Sequence, residues 1–317
     1  MAVSEIPCVV LGSSSSGEVR MPVIGMGCAP ELTGKVADTK EALVEAIRQC
    51  YRHFDTASVY GSEAALGEAI KEALKLGLVP SRQHLFVTSK LWCNQNHPHL
   101  VLPALQNSLR NLQLEYLDLY LVHFPISAKP GKLAFPIEAA DVVHFDLKGV
   151  WAAMEDCQRL GLTRAIGVSN FSIKKLDELL SFATIPPAVN QVEMNLAWQQ
   201  KKLVDYCKSK GIVITAFSPL RQGVGRGSNE AMESDVVKEI AEARGKSSAQ
   251  VCLRWLYEQG VTFVPKSYNK ERMKQNLQIF DWSLTEDDHK KISEIKQQRL
   301  IDGPTKPPLP DLYDDEI

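Results

Sequence analysis

The sequence has no long apolar run and almost no surplus of charge of either sign. No stretch approaches the roughly 20 uninterrupted apolar residues that span a bilayer, so no transmembrane helix is expected. The N-terminal segment MAVSEIPCVVLGSSSSGEVR has no charged region followed by an apolar one, which argues against a secretory signal. The formal net charge is −2 and no basic patch is interleaved with aromatic residues, so we expect no nucleic-acid binding.

The chain also lacks paired cysteines. Its seven cysteines are odd in number, scattered, and form no C-x-x-C motif. We therefore expect free thiols in a reducing compartment, and hence a cytoplasmic protein. No metal site is expected, because the H-x-H pair of His97 and His99 opens a helix and has no partner ligands in the sequence.

What the 317 residues do contain is a regular alternation of short apolar runs with longer helical patterns. Eight runs have the composition of parallel strands that are buried on both faces. They cover residues 22–27, 52–57, 85–91, 117–123, 164–170, 188–195, 212–219 and 262–267. The alternation predicts an α/β protein with one domain over residues 1–317, built as a closed (β/α)₈ barrel of the TIM type.

Two further segments flank the predicted barrel. An N-terminal β-hairpin with its turn at residues 13–17 is expected before it, and the proline-rich C-terminal tail DGPTKPPLPDLYDDEI is expected to be irregular. The alternative fold is an open doubly wound sheet, whose sign is G-x-G-x-x-G in the first strand-to-helix turn. Neither GMGCAPELTG nor GVGRGS fits that pattern, and we interpret GVGRGS as a flexible loop.

Ionisable residues stand at the ends of three successive predicted strands. They are Asp55, Lys90 and His123, with Tyr60 just beyond the first. The carboxyl ends of barrel strands form the active site, and a purely structural barrel does not need a charge at each. A cation near a phenol stabilises tyrosinate, so Tyr60 can donate a proton while Asp55 keeps Lys90 charged and His123 orients a substrate oxygen. No side chain can deliver hydride, so this set predicts carbonyl reduction with a cofactor.

The segment VPKSYNKERMKQN has the composition of a phosphate site. It supplies Lys266, Ser267, Lys270 and Arg272 near the start of a helix, which favours NADPH over NADH. The alternative is that Lys270 and Arg272 belong to a solvated helix face. Other strand ends could serve the nicotinamide, with Phe217 stacking on the ring and the carboxamide bonded by Ser169, Asn170 and Gln191.

Taken together, HFDTASVYGSE, VTSKLW, DLYLVHFP, IGVSNFS and PKSYNKERMKQN resemble the aldo-keto reductases in order and spacing. The resemblance implies a (β/α)₈ barrel that binds NADPH or NADP⁺ without a Rossmann fold. It implies a catalytic tetrad of Asp55, Tyr60, Lys90 and His123, with Tyr60 as the general acid. The cofactor contacts that it implies are Gly27, Cys28, Asp55, Ser169, Asn170, Gln191, Phe217, Ser218, Leu220, Lys266, Ser267, Tyr268, Arg272, Gln275 and Asn276. The expected substrate pocket comprises Ala29, Tyr60, Trp92, His123 and Phe124.

Four residues depart from the usual pattern of that family. The stacking position is usually tyrosine, and Phe217 keeps the ring without the hydroxyl. Phe124 stands where a tryptophan often follows the catalytic histidine, and Arg221 replaces the usual glycine after SPL. Ala29 stands where many members carry a bulky tryptophan, which predicts a pocket open to larger substrates.

Within the family, NQVEMNLAWQQKKL and GPTKPPLPDLYDD are most similar to the plant chalcone (polyketide) reductases. Codeinone reductase, methylecgonone reductase and deoxymugineic acid synthase share TSKLWC. The resemblance implies a monomer that reduces a small-molecule ketone or aldehyde in plant specialised metabolism, with a polyketide (chalcone) synthase as transient partner.

The alternative substrates are an alkaloid ketone, a sugar acid or a mugineic acid precursor. The alternative functions are a non-catalytic NADPH sensor and a metal-dependent hydrolase. Loops 124–146 and 221–234 and the tail from 297 are expected to decide the substrate.

Overall fold

Short strands alternate with longer helices in the computed structural model, which describes residues 6–14, 17–29, 36–131, 133–220 and 230–314. The strands are β1 (Cys8–Ser14), β2 (Gly17–Pro22), β3 (Met26–Gly27), β4 (His53–Asp55), β5 (Phe86–Leu91), β6 (Leu117–Val122), β7 (Ser127–Ala128), β8 (Ile137–Glu138), β9 (Val142–Val143), β10 (Thr163–Ser169), β11 (Val189–Glu193), β12 (Val213–Phe217), β13 (Thr262–Phe263) and β14 (Thr305–Lys306). The helices are α1 (Val36–Arg48), α2 (Glu63–Lys75), α3 (Pro98–Leu112), α4 (Leu147–Arg159), α5 (Ile173–Leu180), α6 (Lys201–Ser209), α7 (Glu230–Glu233), α8 (Asp235–Arg244), α9 (Ser248–Glu258), α10 (Lys270–Asn276) and α11 (Glu286–Ser293).

Eight of these strands form one parallel sheet that closes on itself. Their order in the sheet is β3, β4, β5, β6, β10, β11, β12 and β13, which is also their order along the chain. The two outer strands then meet, because Phe263 N donates to Val23 O at 2.8 Å and Gly25 N donates to Phe263 O at 2.9 Å. Ile24 and Phe263 form a parallel bridge at the same place. The closed ring confirms the predicted (β/α)₈ barrel and excludes the open doubly wound sheet.

The barrel strands are apolar throughout because both of their faces are covered. Every residue of β5 and of β6 is buried, as expected for parallel strands with helices outside and packed side chains inside.

Neighbouring helices around the barrel pack closely on one another. A side chain at Gly67 of α2 would place its Cβ 2.4 Å from Leu112 O at the end of α3. Glycine at this position therefore allows the two helices to touch.

Most of the barrel strands are shorter than the sequence predicts, since the chain turns away at the mouth of the barrel. The range 188–195 contracts to Val189–Glu193 and the range 262–267 to Thr262–Phe263. Asn170 and Ser218 directly follow β10 and β12 and adopt positive φ angles of 64° and 48°. Pro265 after β13 has no amide hydrogen for a ladder bond. These changes of direction turn strand ends into the walls of a site.

The N-terminal hairpin is present and closes the amino end of the barrel. β1 pairs with β2 in antiparallel fashion from Cys8 opposite Pro22 to Ser14 opposite Gly17; Ser15 and Ser16 of its turn lie outside the described residues. Val19 and Met21 are buried against a separate apolar cluster, whose other buried members are Phe86, Leu119, Leu121, Ala165 and Val189. The carboxyl ends of the barrel strands thus lie at the end away from the hairpin.

The C-terminal tail is irregular over most of its length but is fixed to the barrel mouth. Its short strand β14 runs parallel to β8, and Ile137 N donates to Pro304 O at 2.8 Å. The Glu193 carboxylate accepts the Leu300 amide at 3.1 Å and the Ile301 amide at 2.9 Å. Leu312 is buried in a cluster at the same end, with Trp92, Cys93, Phe124, Ile126, Ala128 and Ile137. The tail is therefore part of the site end of the molecule.

All seven cysteines are free thiols, as predicted. No helix in the described part of the chain is both long enough and apolar enough to cross a membrane. Arg221 and the GVGRGS segment lie outside the described residues, so the departure at Arg221 and the predicted loop stay as sequence-based expectations.

Candidate active site

A buried ion pair lies at the carboxyl end of two neighbouring barrel strands. Asp55 ends β4, and Lys90 lies on β5 beside it. Lys90 Nζ is 2.5 Å from Asp55 Oδ1 and also donates to Thr56 O at 2.9 Å. Lys90 is fully buried and Asp55 is 3% exposed. Both charges are shielded from bulk solvent, so each depends on the other for stabilisation.

The Lys90 ammonium stays protonated despite its burial. Burial by itself lowers the pKa of Lys90, but the charges of Asp55 and Tyr60 and the hydrogen bond to Asp55 raise it above its usual value. The prediction that Asp55 keeps Lys90 charged agrees with this geometry. A fixed cation at a barrel strand end is an arrangement typical of functional sites.

Tyr60 stands above this pair on a short 3₁₀ turn, Ser58–Tyr60, which follows β4. Gly61 ends the turn with a φ of 68°, a conformation that glycine adopts without strain. Lys90 Nζ lies 5.0 Å from the centre of the Tyr60 ring, and the Tyr60 hydroxyl is 3.3 Å from His123 Nε2. The phenol is thus held between a cation and an imidazole.

The pKa of the Tyr60 phenol lies above its usual value, whereas a nearby cation acting alone would lower it. Burial raises this pKa above its usual value, and the Lys90 ammonium opposes the rise without cancelling it. Lys90 does act in the predicted direction. Burial is the larger effect here, and it cannot be read from the sequence alone.

His123 follows β6 and is held neutral by its surroundings. Burial and the nearby Lys90 charge lower its pKa well below the usual value. Its carbonyl accepts the Asn170 side-chain amide at 2.9 Å, and its Nδ1 atom has no hydrogen-bond partner among the described residues. In a neutral imidazole one ring nitrogen donates and the other accepts, so with its proton on Nε2 this atom can donate to a substrate oxygen placed beside the Tyr60 hydroxyl.

Aromatic rings form one wall beside His123. The Trp92 ring centre is 4.9 Å from that of His123, and Phe124 stacks on His123 at 5.3 Å. Trp92 Nε1 donates to Ala134 O at 3.1 Å, which holds the indole against the loop that follows β7. Phe135 on that loop is 69% exposed and lies 6.1 Å from Trp92. Ala29, which follows β3, is half-buried. Sequence reasoning missed Phe135, since its only signal is an apolar residue in a loop.

Three polar residues expected to bond a nicotinamide carboxamide are joined to one another and to the ion pair. Asn170 Nδ2 donates to Ser169 Oγ at 3.0 Å, and Ser169 Oγ donates to Gln191 O at 2.7 Å. Gln191 Nε2 donates to Asp55 Oδ2 at 2.7 Å. The structure brings the tetrad and these three residues into one buried hydrogen-bonded set.

The basic segment after β13 places one cation beside a hydroxyl and a second cation over a neighbouring aromatic ring. Arg272 Nε donates to Ser267 Oγ at 3.4 Å, and Lys266 Nζ lies 4.8 Å from the centre of the Tyr268 ring. Lys270 instead pairs with Glu45 of α1 at 3.1 Å, so the alternative of a surface role holds for this residue. Further along α10, Gln275 is exposed and Asn276 is buried.

The donor set fits a phosphorylated dinucleotide. Lys266, Ser267 and Arg272 offer two cations and a hydroxyl, the groups that bind phosphate well. A Cβ at Gly27 would lie 2.9 Å from Val264 O, so the strand ends approach closely there. Cys28 N donates to Asp55 O at 2.8 Å, and burial raises the pKa of the Cys28 thiol. The other expected cofactor contacts lie at the end of β12 and just after it. Phe217 and Ser218 are half-buried and Leu220 is buried.

Known proteins resemble this chain over nearly its full length. A family model described as the aldo/keto reductase family matches residues 31–297. An NAD(P)H-dependent 6′-deoxychalcone synthase of Glycine max is 70% identical over 316 residues, which cover 100% of this chain and 99% of that protein. An NADPH-dependent codeinone reductase of Papaver somniferum is 57% identical over 300 residues, covering 94% of this chain and 92% of that protein.

A solved structure has the same architecture. The crystal structure of a Bombyx mori aldo-keto reductase in complex with NADP superposes with a TM-score of 0.82 at 36% sequence identity. The superposition covers 93% of this chain and 94% of that one.

Proposed function

Since the chain belongs to the aldo/keto reductase family, we propose that this NADPH-dependent reductase acts on a polyketide-derived aromatic ketone and that Tyr60 donates the proton. The family, the enzyme class and the cofactor that the sequence predicts are confirmed by the matches. The metal-dependent hydrolase is excluded by the family. The observation that carries the proposed chemistry is the Tyr60 hydroxyl, held between the Lys90 ammonium and His123 Nε2.

Each member of the tetrad has one part in moving that proton. Tyr60 gives its hydroxyl proton to the carbonyl oxygen as negative charge develops there. Lys90 stabilises the tyrosinate that remains, and Asp55 keeps Lys90 charged and in place. His123 orients the substrate oxygen through Nε2, and its neutral state prevents it from competing as an acid.

The cofactor-binding roles follow from the donor set. NADPH, when bound, supplies the hydride that no side chain can provide. Lys266, Ser267 and Arg272 would hold its additional phosphate. The residues that would contact the rest of the molecule are Gly27, Cys28, Asp55, Ser169, Asn170, Gln191, Phe217, Ser218, Leu220, Tyr268, Gln275 and Asn276.

The proposed substrate class rests on the pocket and on the soybean relative. The rings of Trp92 and Phe124 lie beside His123, and Phe135 lies beside Trp92. The small side chain of Ala29 leaves room for a large molecule. Aromatic walls suit a planar aromatic substrate. The Glycine max relative at 70% identity carries the name of a 6′-deoxychalcone synthase, which supports the same class.

The wider setting is proposed on the same grounds. We propose a cytoplasmic monomer with one domain over residues 1–317, which takes a polyketide intermediate released by a chalcone synthase. The identity with the soybean relative supports this setting.

Substitution of Tyr60 by phenylalanine tests the proton donor. We expect Tyr60→Phe to lower kcat by about 10²–10⁴-fold, the usual contribution of a general acid, while NADPH still quenches the protein fluorescence with little change in Kd. Tyr116→Phe, a partly exposed tyrosine at the other end of β6, is the control. Turnover of Tyr60→Phe at the wild-type rate would refute this assignment.

A coupled assay tests the substrate. The protein is incubated with chalcone synthase, p-coumaroyl-CoA, malonyl-CoA and NADPH, and the products are separated by chromatography. We expect a 6′-deoxychalcone that is lost when Tyr60→Phe replaces the wild type. Formation of the fully hydroxylated chalcone alone would contradict this choice, and codeinone would then be the next substrate to test, given the relative at 57% identity. NADPH binding without turnover of any carbonyl would support the sensor alternative.

A further inference from the structure

We propose that Gln191 is a positioning residue of the proton-transfer network, which orients the Asp55 carboxylate from across the barrel. Gln191 lies on β11, the sixth strand of the closed sheet, and Asp55 ends β4, the second. These two strands are four places apart in either direction around the ring. The hydrogen bond from Gln191 Nε2 to Asp55 Oδ2, at 2.7 Å, therefore spans the interior of the barrel.

The two oxygens of the Asp55 carboxylate have different donors. Oδ1 takes the Lys90 ammonium at 2.5 Å and Oδ2 takes the Gln191 amide at 2.7 Å. Asp55 is 3% and Gln191 2% exposed, so water cannot replace either donor. With Oδ2 fixed by Gln191, rotation of the carboxylate is prevented and Oδ1 stays directed at Lys90.

Gln191 is itself held before any ligand arrives. Its carbonyl accepts the Asn170 amide at 2.9 Å and the Ser169 hydroxyl at 2.7 Å. Since Asn170 Nδ2 also donates to His123 O, the bonds run from His123 through Asn170, Ser169 and Gln191 to Asp55. Gln191 is thus the one link that ties the far side of the barrel to the Asp55–Lys90 pair in this chain of bonds.

The effect of losing Gln191 follows from the charges around Asp55. The titratable groups around it are Lys90 from β5, Tyr60 from the 3₁₀ turn, Cys28 from the end of β3 and His53 from β4 itself. His123 lies beyond Tyr60, and Lys266 acts on Cys28. Without a donor at Oδ2, the carboxylate draws more strongly on the Lys90 proton. Lys90 then gives less support to tyrosinate, so Tyr60 becomes a weaker acid.

The first test measures the ionisation of Tyr60 directly and needs no activity, although the inference rests on the proposed function. Tyrosinate absorbance is titrated in wild type and in Gln191→Leu, each against the same protein carrying Tyr60→Phe. We expect the Tyr60 midpoint in Gln191→Leu to rise by about one pH unit. Gln199→Leu, another buried glutamine that bonds Leu196 O and Ile292 O, is the matched control and should leave the midpoint unchanged.

A second variant separates the hydrogen bond from packing. Gln191→Glu keeps the length of the side chain, and its protonated acid donates to Asp55 as the amide does. At saturating NADPH and acid pH we expect Gln191→Glu to have a higher kcat than Gln191→Leu, and this advantage to disappear progressively as the acid ionises. A variant that only lost a cofactor contact would show a weaker NADPH Kd with an unchanged Tyr60 titration, and that result would overturn the proposal. Absence of turnover in the wild type would count against the proposed function instead, since the titration reads the network without it.

Discussion

At the scale of single residues, the Asp55–Lys90 pair is the feature that most clearly departs from what stability alone requires. A buried ion pair costs much desolvation free energy, and an apolar pair of similar volume is often equally stable. Here the ammonium is fully buried and donates to both Asp55 and Thr56. Its position below the Tyr60 ring gives a functional reason for keeping the charge.

Removal of the Lys90 charge should therefore be costly to the fold as well as to activity. In Lys90→Met the Asp55 carboxylate keeps Gln191 alone among its side-chain donors in the described part of the chain. We expect the free energy of unfolding in urea to fall by about 3–5 kcal/mol. The control is Lys129→Met, because Lys129 and Asp141 form an exposed pair at 2.9 Å that should be worth about 0–1 kcal/mol. Equal losses of unfolding free energy in the two variants would show that burial does not make the Lys90–Asp55 pair more important for stability than an exposed pair.

The sequence indicates the four candidate residues of the proposed tetrad, but not the hydrogen bonds that connect them. Asp55, Lys90 and His123 stand out because each is ionisable and ends an apolar run. The bond from Gln191 to Asp55 joins opposite sides of a closed ring, and no local pattern reports that distance. In the same way, Lys270 has the charge of a phosphate ligand and yet pairs with Glu45. The composition of a segment does not indicate which neighbour a side chain contacts.

At the scale of elements, the C-terminal tail does more than its composition indicates. Its proline-rich sequence predicts irregular chain, and most of it is irregular. Its fixed position comes from partners far away in sequence, namely β8, the Glu193 carboxylate and α5. Such partners are invisible to periodicity, which reads only neighbours along the chain.

The contact between the tail and α5 can be tested by one substitution. Asp314 accepts Lys175 Nζ at 2.5 Å and also bonds Ser172, the residue that caps α5. We expect Asp314→Asn to increase hydrogen–deuterium exchange in residues 305–314 by about five- to tenfold, because a loss of about 1–1.5 kcal/mol has that effect on local opening. Asp311→Asn is the control, since its exposed carboxylate bonds no described partner. Unchanged exchange in Asp314→Asn would mean that β14 and Leu312 hold the tail without this contact.

At the scale of the whole molecule, two buried neutral histidines make stability depend on pH. His53 has Nδ1 3.3 Å from Pro22 O and Nε2 3.3 Å from Thr88 Oγ1. Burial lowers its pKa to about 4, while in the unfolded chain the histidine has its ordinary pKa of about 6.5. The unfolded state therefore binds more protons between these pH values, and stability is lost as the pH falls through that window.

Urea unfolding at pH 7 and pH 5 measures this effect. Between these pH values the medium passes through about 1.5 pH units of the window. For His53 alone this should lower the free energy of unfolding by about 2 kcal/mol. We expect His53→Gln to show a smaller loss than wild type between the two pH values, because glutamine can bond Thr88 without titrating. His99→Gln, an exposed histidine, should keep the full wild-type loss. If His53→Gln also kept it, other groups would govern the acid sensitivity.

The barrel itself was predictable because its signal repeats. Eight apolar runs separated by helical patterns leave few arrangements other than a closed parallel ring, and the family motifs in sequence order add to this. The limits of each strand were less predictable. They depend on where the mouth turns the chain, as at Asn170 and Ser218, and that is a property of the assembled ring.

The contact between Ile24 and Phe263 that closes the ring also has a consequence for biosynthesis. A ribosome releases β3 first and β13 last among the barrel strands. Throughout translation of the intervening chain, one edge of β3 has no strand to pair with, and an unpaired edge is a site for aggregation. Demand for chaperones should therefore be greatest just before the eighth strand leaves the exit tunnel.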